Sequence, residues 1–130
     1  MDTGPLVASF DRGDADHERC ATLLTETQEK RVVPAPVLVE LDHFVPAQSF
    51  LRFLADARRG ALQVEQLLAS DYARIEELLA TYADLRVGFV DAAVLAVVER
   101  LGESRLATLD HRHFSVMRPI HVDRLELLPS

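Results

Sequence analysis

Residues 88–110 read GFVDAAVLAVVERLGESRLATLD, and the fold class follows from how this stretch divides. At about 100° per residue, Val90, Val94, Val97, Val98 and Leu101 form one apolar arc, so the spacing predicts a helix from about Phe89 to Leu101. Glu99 and Arg100 fall on the opposite side. Gly102 stands just past the last periodic residue, where helices commonly stop. Arg105 to Leu109 then reads as a strand that closes on Asp110.

The same alternation continues upstream. A very short strand at Met1-Asp2 precedes a short helix over Leu6 to Phe10. Asp14 is placed to cap a second helix running to about Lys30, with Cys20, Leu23 and Leu24 on its apolar side. Arg31 to Val33 reads as a buried strand, and Pro36 fits the first turn of a third helix that reaches about Val45. A fourth helix covers Phe50 to Arg59 and ends at Gly60. Ala61 to Leu68 alternates as a strand, with Leu62, Val64 and Leu67 as its buried members. Ser70 then caps a fifth helix to about Ala83, and Leu125 to Leu128 forms a short last strand. Strands separated by helices of this length predict an α/β fold, with a mainly parallel central sheet covered on both faces. Ligands of such sheets gather at the carboxyl ends of the strands.

No repeat, low-complexity tract or linker divides the 130 residues, so one domain over 1–130 is expected. The chain is 48% hydrophobic and 27% charged, the balance of a soluble globular protein. No apolar run reaches the roughly 18 residues of a membrane span, and the amino end lacks the pattern of a secretory leader. The lone Cys20 cannot form an internal disulfide, which predicts a reducing, cytoplasmic setting. Fourteen basic and 21 acidic residues give a net charge of −7, against a general electrostatic grip on nucleic acid. A carboxylate-rich cation site would still allow a nuclease, because bound cations reverse the local potential. Only Lys30 is lysine; every other basic residue is arginine, whose planar fork suits phosphate.

Several carboxylates interrupt the apolar pattern. Asp91 lies between Val98 and Leu95 inside the extended face of its helix, where an ionised group is costly unless paired, although a helix start also welcomes negative charge. Asp110 and Asp2 each occupy the end of a strand. Glu40 and Asp42 both fall at the margins of the third helix's apolar arc, and spacing does not choose between them. Converging carboxylates repel unless protonated or bridged by cations, and hard oxygen donors select Mg²⁺ or Mn²⁺. A zinc site would draw on His111 and His113 with His17, His43 or His121, but these lack a recognised ligand spacing.

Four segments carry a family resemblance: Asp2-Thr3-Gly4-Pro5-Leu6-Val7-Ala8, Pro34-Ala35-Pro36-Val37-Leu38-Val39-Glu40-Leu41, Gly88-Phe89-Val90-Asp91-Ala92-Ala93, and Ala107-Thr108-Leu109-Asp110-His111-Arg112-His113-Phe114. In this order and spacing the chain resembles a PIN domain of the VapC toxin family, the ribonuclease half of type II toxin–antitoxin pairs. The resemblance implies a three-layer α/β/α fold and four acidic ligands for Mg²⁺ or Mn²⁺: Asp2, Glu40, Asp91 and Asp110. It selects Glu40 over Asp42. It also implies supporting roles for Thr3 and Thr108, and RNA contacts from arginines near the groove, for which Arg112 and Arg86 are candidates.

Such proteins cleave RNA endonucleolytically to a 3′-hydroxyl and a 5′-phosphate. They are neutralised by a VapB-like antitoxin and commonly form homodimers, with heterotetramers or larger assemblies when the antitoxin is bound. Two departures stand out. Only Met1 precedes the first Asp, where relatives carry several apolar residues, and His113 stands where many relatives carry a further acidic residue. The competing functions are a PIN-fold processing or decay nuclease without an antitoxin, and a non-catalytic PIN binding module. A phospho-accepting receiver domain needs a lysine near its last strand, and Lys30 lies far too early.

Overall fold

The computed structural model describes residues 1–26 and 30–129. Helices α1 (Thr3–Phe10) and α2 (His17–Glu26) lead into β1 (Arg31–Pro34), followed by α3 (Ala35–Phe44), α4 (Ala47–Arg59) and β2 (Leu62–Glu65). After α5 (Ala69–Thr81) and a 3-10 turn (Ala83–Leu85) come α6 (Phe89–Leu101), β3 (Arg105–Ala107), α7 (His111–Val116) and β4 (Glu126–Leu128). β1 pairs with β2 and β3 with β4, both in parallel register. The result is an α/β fold of parallel strands flanked by helices, in the α/β/α layering that the alternation predicts.

The expected first strand is reduced to a two-residue bridge. The Met1 amino group donates to Val32 O at 2.6 Å, and Asp2 N donates to Ala107 O at 2.9 Å, so these residues join the two parallel ladders. An apolar cavity of about 400 Å³ lies beside Met1, between Val32 of β1 and Leu106 of β3, with Val97 of α6 in its wall. Burial lowers the pKa of the Met1 amino group to about 6, with the Asp2 and Glu103 charges opposing the shift.

Helix α6 is the centre of the molecule. Every residue from Ala92 to Val98 is buried, because α5 covers one side while α3, β1 and α7 cover the others. Its polar flank faces α5 and β2. Arg100 Nε lies 3.0 Å from both oxygens of Asp71, and its Nη1 lies 3.0 Å from Glu65. Arg74 of α5 grips Glu99 with two hydrogen bonds of 2.8 and 3.1 Å. The buried Asp71 also accepts Leu68 N–H at 2.8 Å, so Asp71 rather than the expected Ser70 closes the start of α5.

Other boundaries move for local reasons. Asp14 accepts Asp16 N–H within a turn, and α2 begins three residues later, at His17. The part of its expected run at residues 27–29 lies outside the described residues. Helix α4 starts three residues earlier than expected, directly after Pro46. β2 is only as long as the β1 segment that pairs with it, so Gln66, Leu67 and Leu68 leave the ladder. Gly60 and Gly102 close α4 and α6 with φ of 82° and 67°, the left-handed region that glycine enters without a Cβ clash.

Replacing Arg100 with Leu leaves Asp71 buried without its counter-charge. Urea denaturation is expected to show a loss of about 3 kcal/mol. Glu77→Ala, which removes only an exposed partner of Arg74, should change stability by less than about 1 kcal/mol.

Candidate active site

Four separated carboxylates reach one cleft at the carboxyl ends of β1 and β3. Asp2 precedes α1 as its N-cap, with Oδ1 accepting Thr3 N–H at 2.8 Å. Its other oxygen, Oδ2, accepts the Thr108 hydroxyl at 2.8 Å. The same hydroxyl oxygen accepts Asp110 N–H at 3.0 Å, so the fully buried Thr108 ties Asp2 to the segment that carries Asp110. Gly4 permits this approach: a Cβ there would stand 3.1 Å from Leu109 Cβ, pushing α1 away from the end of β3.

Glu40 projects from α3 and accepts the Thr3 hydroxyl at 2.5 Å, while Asp42 is exposed. Asp91 sits in the first turn of α6. Asp110 caps α7, with Oδ1 accepting His113 N–H at 3.1 Å. The cleft is open, about 650 Å³, and Asp2, Glu40, Asp91 and Asp110 all line it together with Thr3. Asp14, read from the sequence only as a helix cap, is a fifth carboxylate in its wall. The apolar cavity beside Met1 shares none of these residues.

Electrostatics follow from the crowding. Burial is the main cause that raises the pKa of Asp2, opposed by the hydrogen bonds from Thr108 and Thr3 and reinforced by Glu40. Asp91 is raised to about 6, first by burial and then by the negative charges of Asp2 and Asp110. His113 offsets part of this, with Nδ1 2.9 Å from Asp110 Oδ2 and 3.3 Å from Asp91 Oδ2. The histidines are scattered in the sequence, and none is among the described residues that line the cleft. His113 nevertheless stands beside two of the cleft's carboxylates, because α7 turns it back toward Asp110, three residues away. Arg86 and Arg112 are both exposed, and neither is among the described residues that line the cleft.

This arrangement can be set beside known proteins. Residues 1–118 match the PIN domain family. The chain belongs to that family. Its PIN domain is 30% identical to ribonuclease VapC26 of Mycobacterium tuberculosis (strain ATCC 25618 / H37Rv), over an alignment covering 99% of this chain and 98% of that protein. A relative of that identity and coverage makes this a VapC-type PIN domain. The fold also matches the crystal structure of Mycobacterium tuberculosis VapC20, described as a sarcin-ricin loop cleaving toxin. That match has a TM-score of 0.80 at 22% identity, covering 94% of this chain and 96% of that one.

Two outcomes are expected of the PIN domain's acidic cleft. The native state keeps a proton on Asp91 up to about pH 6, whereas the unfolded chain releases it near 3.8. The native state therefore binds more protons in that window, and its stability falls as pH rises through it. Asp91→Asn should stabilise the cation-free protein by about 1–2 kcal/mol at pH 7 and by much less at pH 4, as read by thermal denaturation at the two pH values. Thr108→Val, of nearly the same shape, should cost about 1–3 kcal/mol because it strips a partner from both Asp2 and Asp110 N–H; no loss in chemical denaturation would count against the hydroxyl's bridging role.

Proposed function

We propose that this VapC-type PIN domain is a divalent-cation-dependent endoribonuclease, the toxin of a pair whose other member is a VapB-type antitoxin. The observation that carries the reading is the meeting of Asp2, Glu40, Asp91 and Asp110 in one cleft, with no Lys or Arg among its described lining residues. Nothing cationic in that wall offsets four carboxylates, and the raised pKa values of Asp2 and Asp91 register the cost. Oxygen donors of this kind suit a small, hard divalent cation, Mg²⁺ or Mn²⁺; Asp91 and Asp110, with His113, already lie close enough to share one, and Asp2 and Glu40 line the same cleft outside that group.

Asp2, Glu40, Asp91 and Asp110 would hold the cation. When bound, it supplies Lewis-acid charge that favours hydroxide from water and offsets the charge gathering on a phosphodiester under attack. The chain's own groups prepare the site. Thr3 fixes Glu40 through its hydroxyl, and Thr108 holds Asp2 and the Asp110 backbone in register. The His113 imidazole stands between Asp91 and Asp110, its Nδ1 3.3 and 2.9 Å from one oxygen of each. Attack of water at the phosphorus, with the P–O3′ bond breaking and the departing 3′ oxygen taking a proton, would leave a 3′-hydroxyl and a 5′-phosphate. Arg112 and Arg86, exposed outside the described cleft wall, would take RNA phosphates flanking the scissile one.

An antitoxin and a second copy of the chain are the partners this reading requires. Val39, Phe44 and Leu51 on α3 and α4 are 75%, 62% and 64% exposed, with Phe44 also in the cleft wall, and supply apolar surface next to the acidic groups. A partner seated there would lie across the entrance to the cleft.

Asp2→Asn, Glu40→Gln, Asp91→Asn and Asp110→Asn should each lower RNA cleavage by roughly a hundredfold or more in Mg²⁺ or Mn²⁺. Chelation should silence the wild-type protein, and added Mn²⁺ should restore it. Near wild-type cleavage by Asp91→Asn would refute the assigned role. Growth arrest on induced expression, relieved by co-expression of a VapB-type partner found encoded beside it, tests the toxin assignment separately from the nuclease assignment.

A further inference from the structure

We propose that His113 is a nitrogen ligand of the cation site, so that this chain selects Mn²⁺ over Mg²⁺ more strongly than its carboxylates alone would. The inference rests on reading the cleft as a cation site and adds a donor that the four-carboxylate pattern lacks.

The geometry is specific. One ligand atom each from Asp91, Asp110 and His113 lie within 4.8 Å of one another. Nδ1 of His113 stands 2.9 Å from Asp110 Oδ2 and 3.3 Å from Asp91 Oδ2. Donors that sit side by side on one small divalent ion are about 3 Å apart, the same spacing. An ordinary ion pair at that distance would be completed by an N–H aimed at one oxygen. Here Nδ1 is shielded from solvent and makes no hydrogen bond of acceptable geometry with either carboxylate. A buried ring nitrogen facing two oxygens without bonding either is arranged as a co-ligand rather than as a donor.

The backbone explains how the ring is held. Asp110 caps α7 and uses Oδ1 to accept His113 N–H at 3.1 Å, which leaves Oδ2 and the imidazole on one side. Asp91 meets them from the first turn of α6. Chemistry then sets the preference. Imidazole is a softer donor than carboxylate and is poorly matched to Mg²⁺, which demands oxygen and releases water reluctantly. Adding one nitrogen to an oxygen set therefore raises affinity for Mn²⁺ relative to Mg²⁺.

The test uses the full chain, stripped of metal and titrated with Mn²⁺ and Mg²⁺ separately by calorimetry, alongside His113→Gln and His113→Asp. Pulsed electron paramagnetic resonance of the Mn²⁺-loaded protein reads nitrogen coordination directly and independently of activity. The expected result is nitrogen modulation from a bound imidazole in wild type, absent in both variants, with a drop of about tenfold or more in the Mn²⁺-to-Mg²⁺ affinity ratio. The aspartate variant, which restores an oxygen donor, should keep Mg²⁺ binding and lose only the preference. Tight Mn²⁺ binding with no nitrogen signal, or an unchanged ratio in the variants, overturns the role of His113 and leaves the carboxylate site standing. Absence of any Mn²⁺ or Mg²⁺ binding overturns both this inference and the reading of the cleft. Circular dichroism of the variants identifies a misfolded one, in which case the nitrogen signal of wild type decides alone.

Discussion

The hydroxyl of Thr108 is the point on which the site depends. It is fully buried, donates to Asp2 and accepts from the backbone of Asp110, residues that lie at opposite ends of the chain. Two carboxyl-bearing segments brought this close would otherwise drift apart, since each gains by moving toward water. The hydroxyl makes separation cost two buried hydrogen bonds. Thr3 performs the matching service on the other flank by donating to Glu40 from the residue after Asp2. Both threonines work through the first turn of α1, whose close approach to Leu109 is eased because position 4 has no side chain. The fold can thus be read outward from a short sequence, Asp2-Thr3-Gly4, in which each residue has a separate physical task.

Much of this was legible before the structure, and the part that was not has definite causes. The 88–110 stretch announced its helix through the Val90, Val94, Val97, Val98 arc, and Gly102 marked the end correctly because a left-handed stop needs glycine. Yet α6 is buried on all sides from Ala92 to Val98, and a single apolar arc could not reveal that. Its apparently solvated residues, Glu99 and Arg100, are matched by Arg74 and Asp71 on α5; partners so far apart in sequence leave no local trace. The choice between Glu40 and Asp42 depended on the rotation of α3 about its axis, which tertiary packing sets. His113 was dismissed because its ligand-like neighbours, Asp91 and Asp110, belong to different elements. The first strand failed as a regular strand because two residues can make only one ladder bond to each side.

The acidic character of the chain gains a location from these contacts. A net charge of −7 spread evenly would repel RNA over the whole surface. Five carboxylates, counting Asp14, are instead concentrated in one open cleft. On the proposed reading, a divalent cation there would change the sign of the field that a phosphate meets, while Arg86 and Arg112 lie outside the described wall.

The chain treats its buried carboxylates elsewhere quite differently. Asp71 receives the Arg100 guanidinium, and Glu99 receives both arms of Arg74, so the protein has arginines to spare for neutralising acids and uses them with close geometry. Asp2 is as hidden as these, at 6% exposure, and no guanidinium reaches it; its partners are a hydroxyl and an amide. Stability alone would favour an arginine in the cleft, since burial and mutual repulsion raise the pKa values of Asp2 and Asp91 where no guanidinium offsets them. A fixed guanidinium would hold the oxygens permanently, whereas a cation drawn from solution can both bind them and present open positions to water and phosphate. The absence of arginine from the described cleft wall, in a chain that places arginine on its other buried acids, is what the proposed cation site calls for.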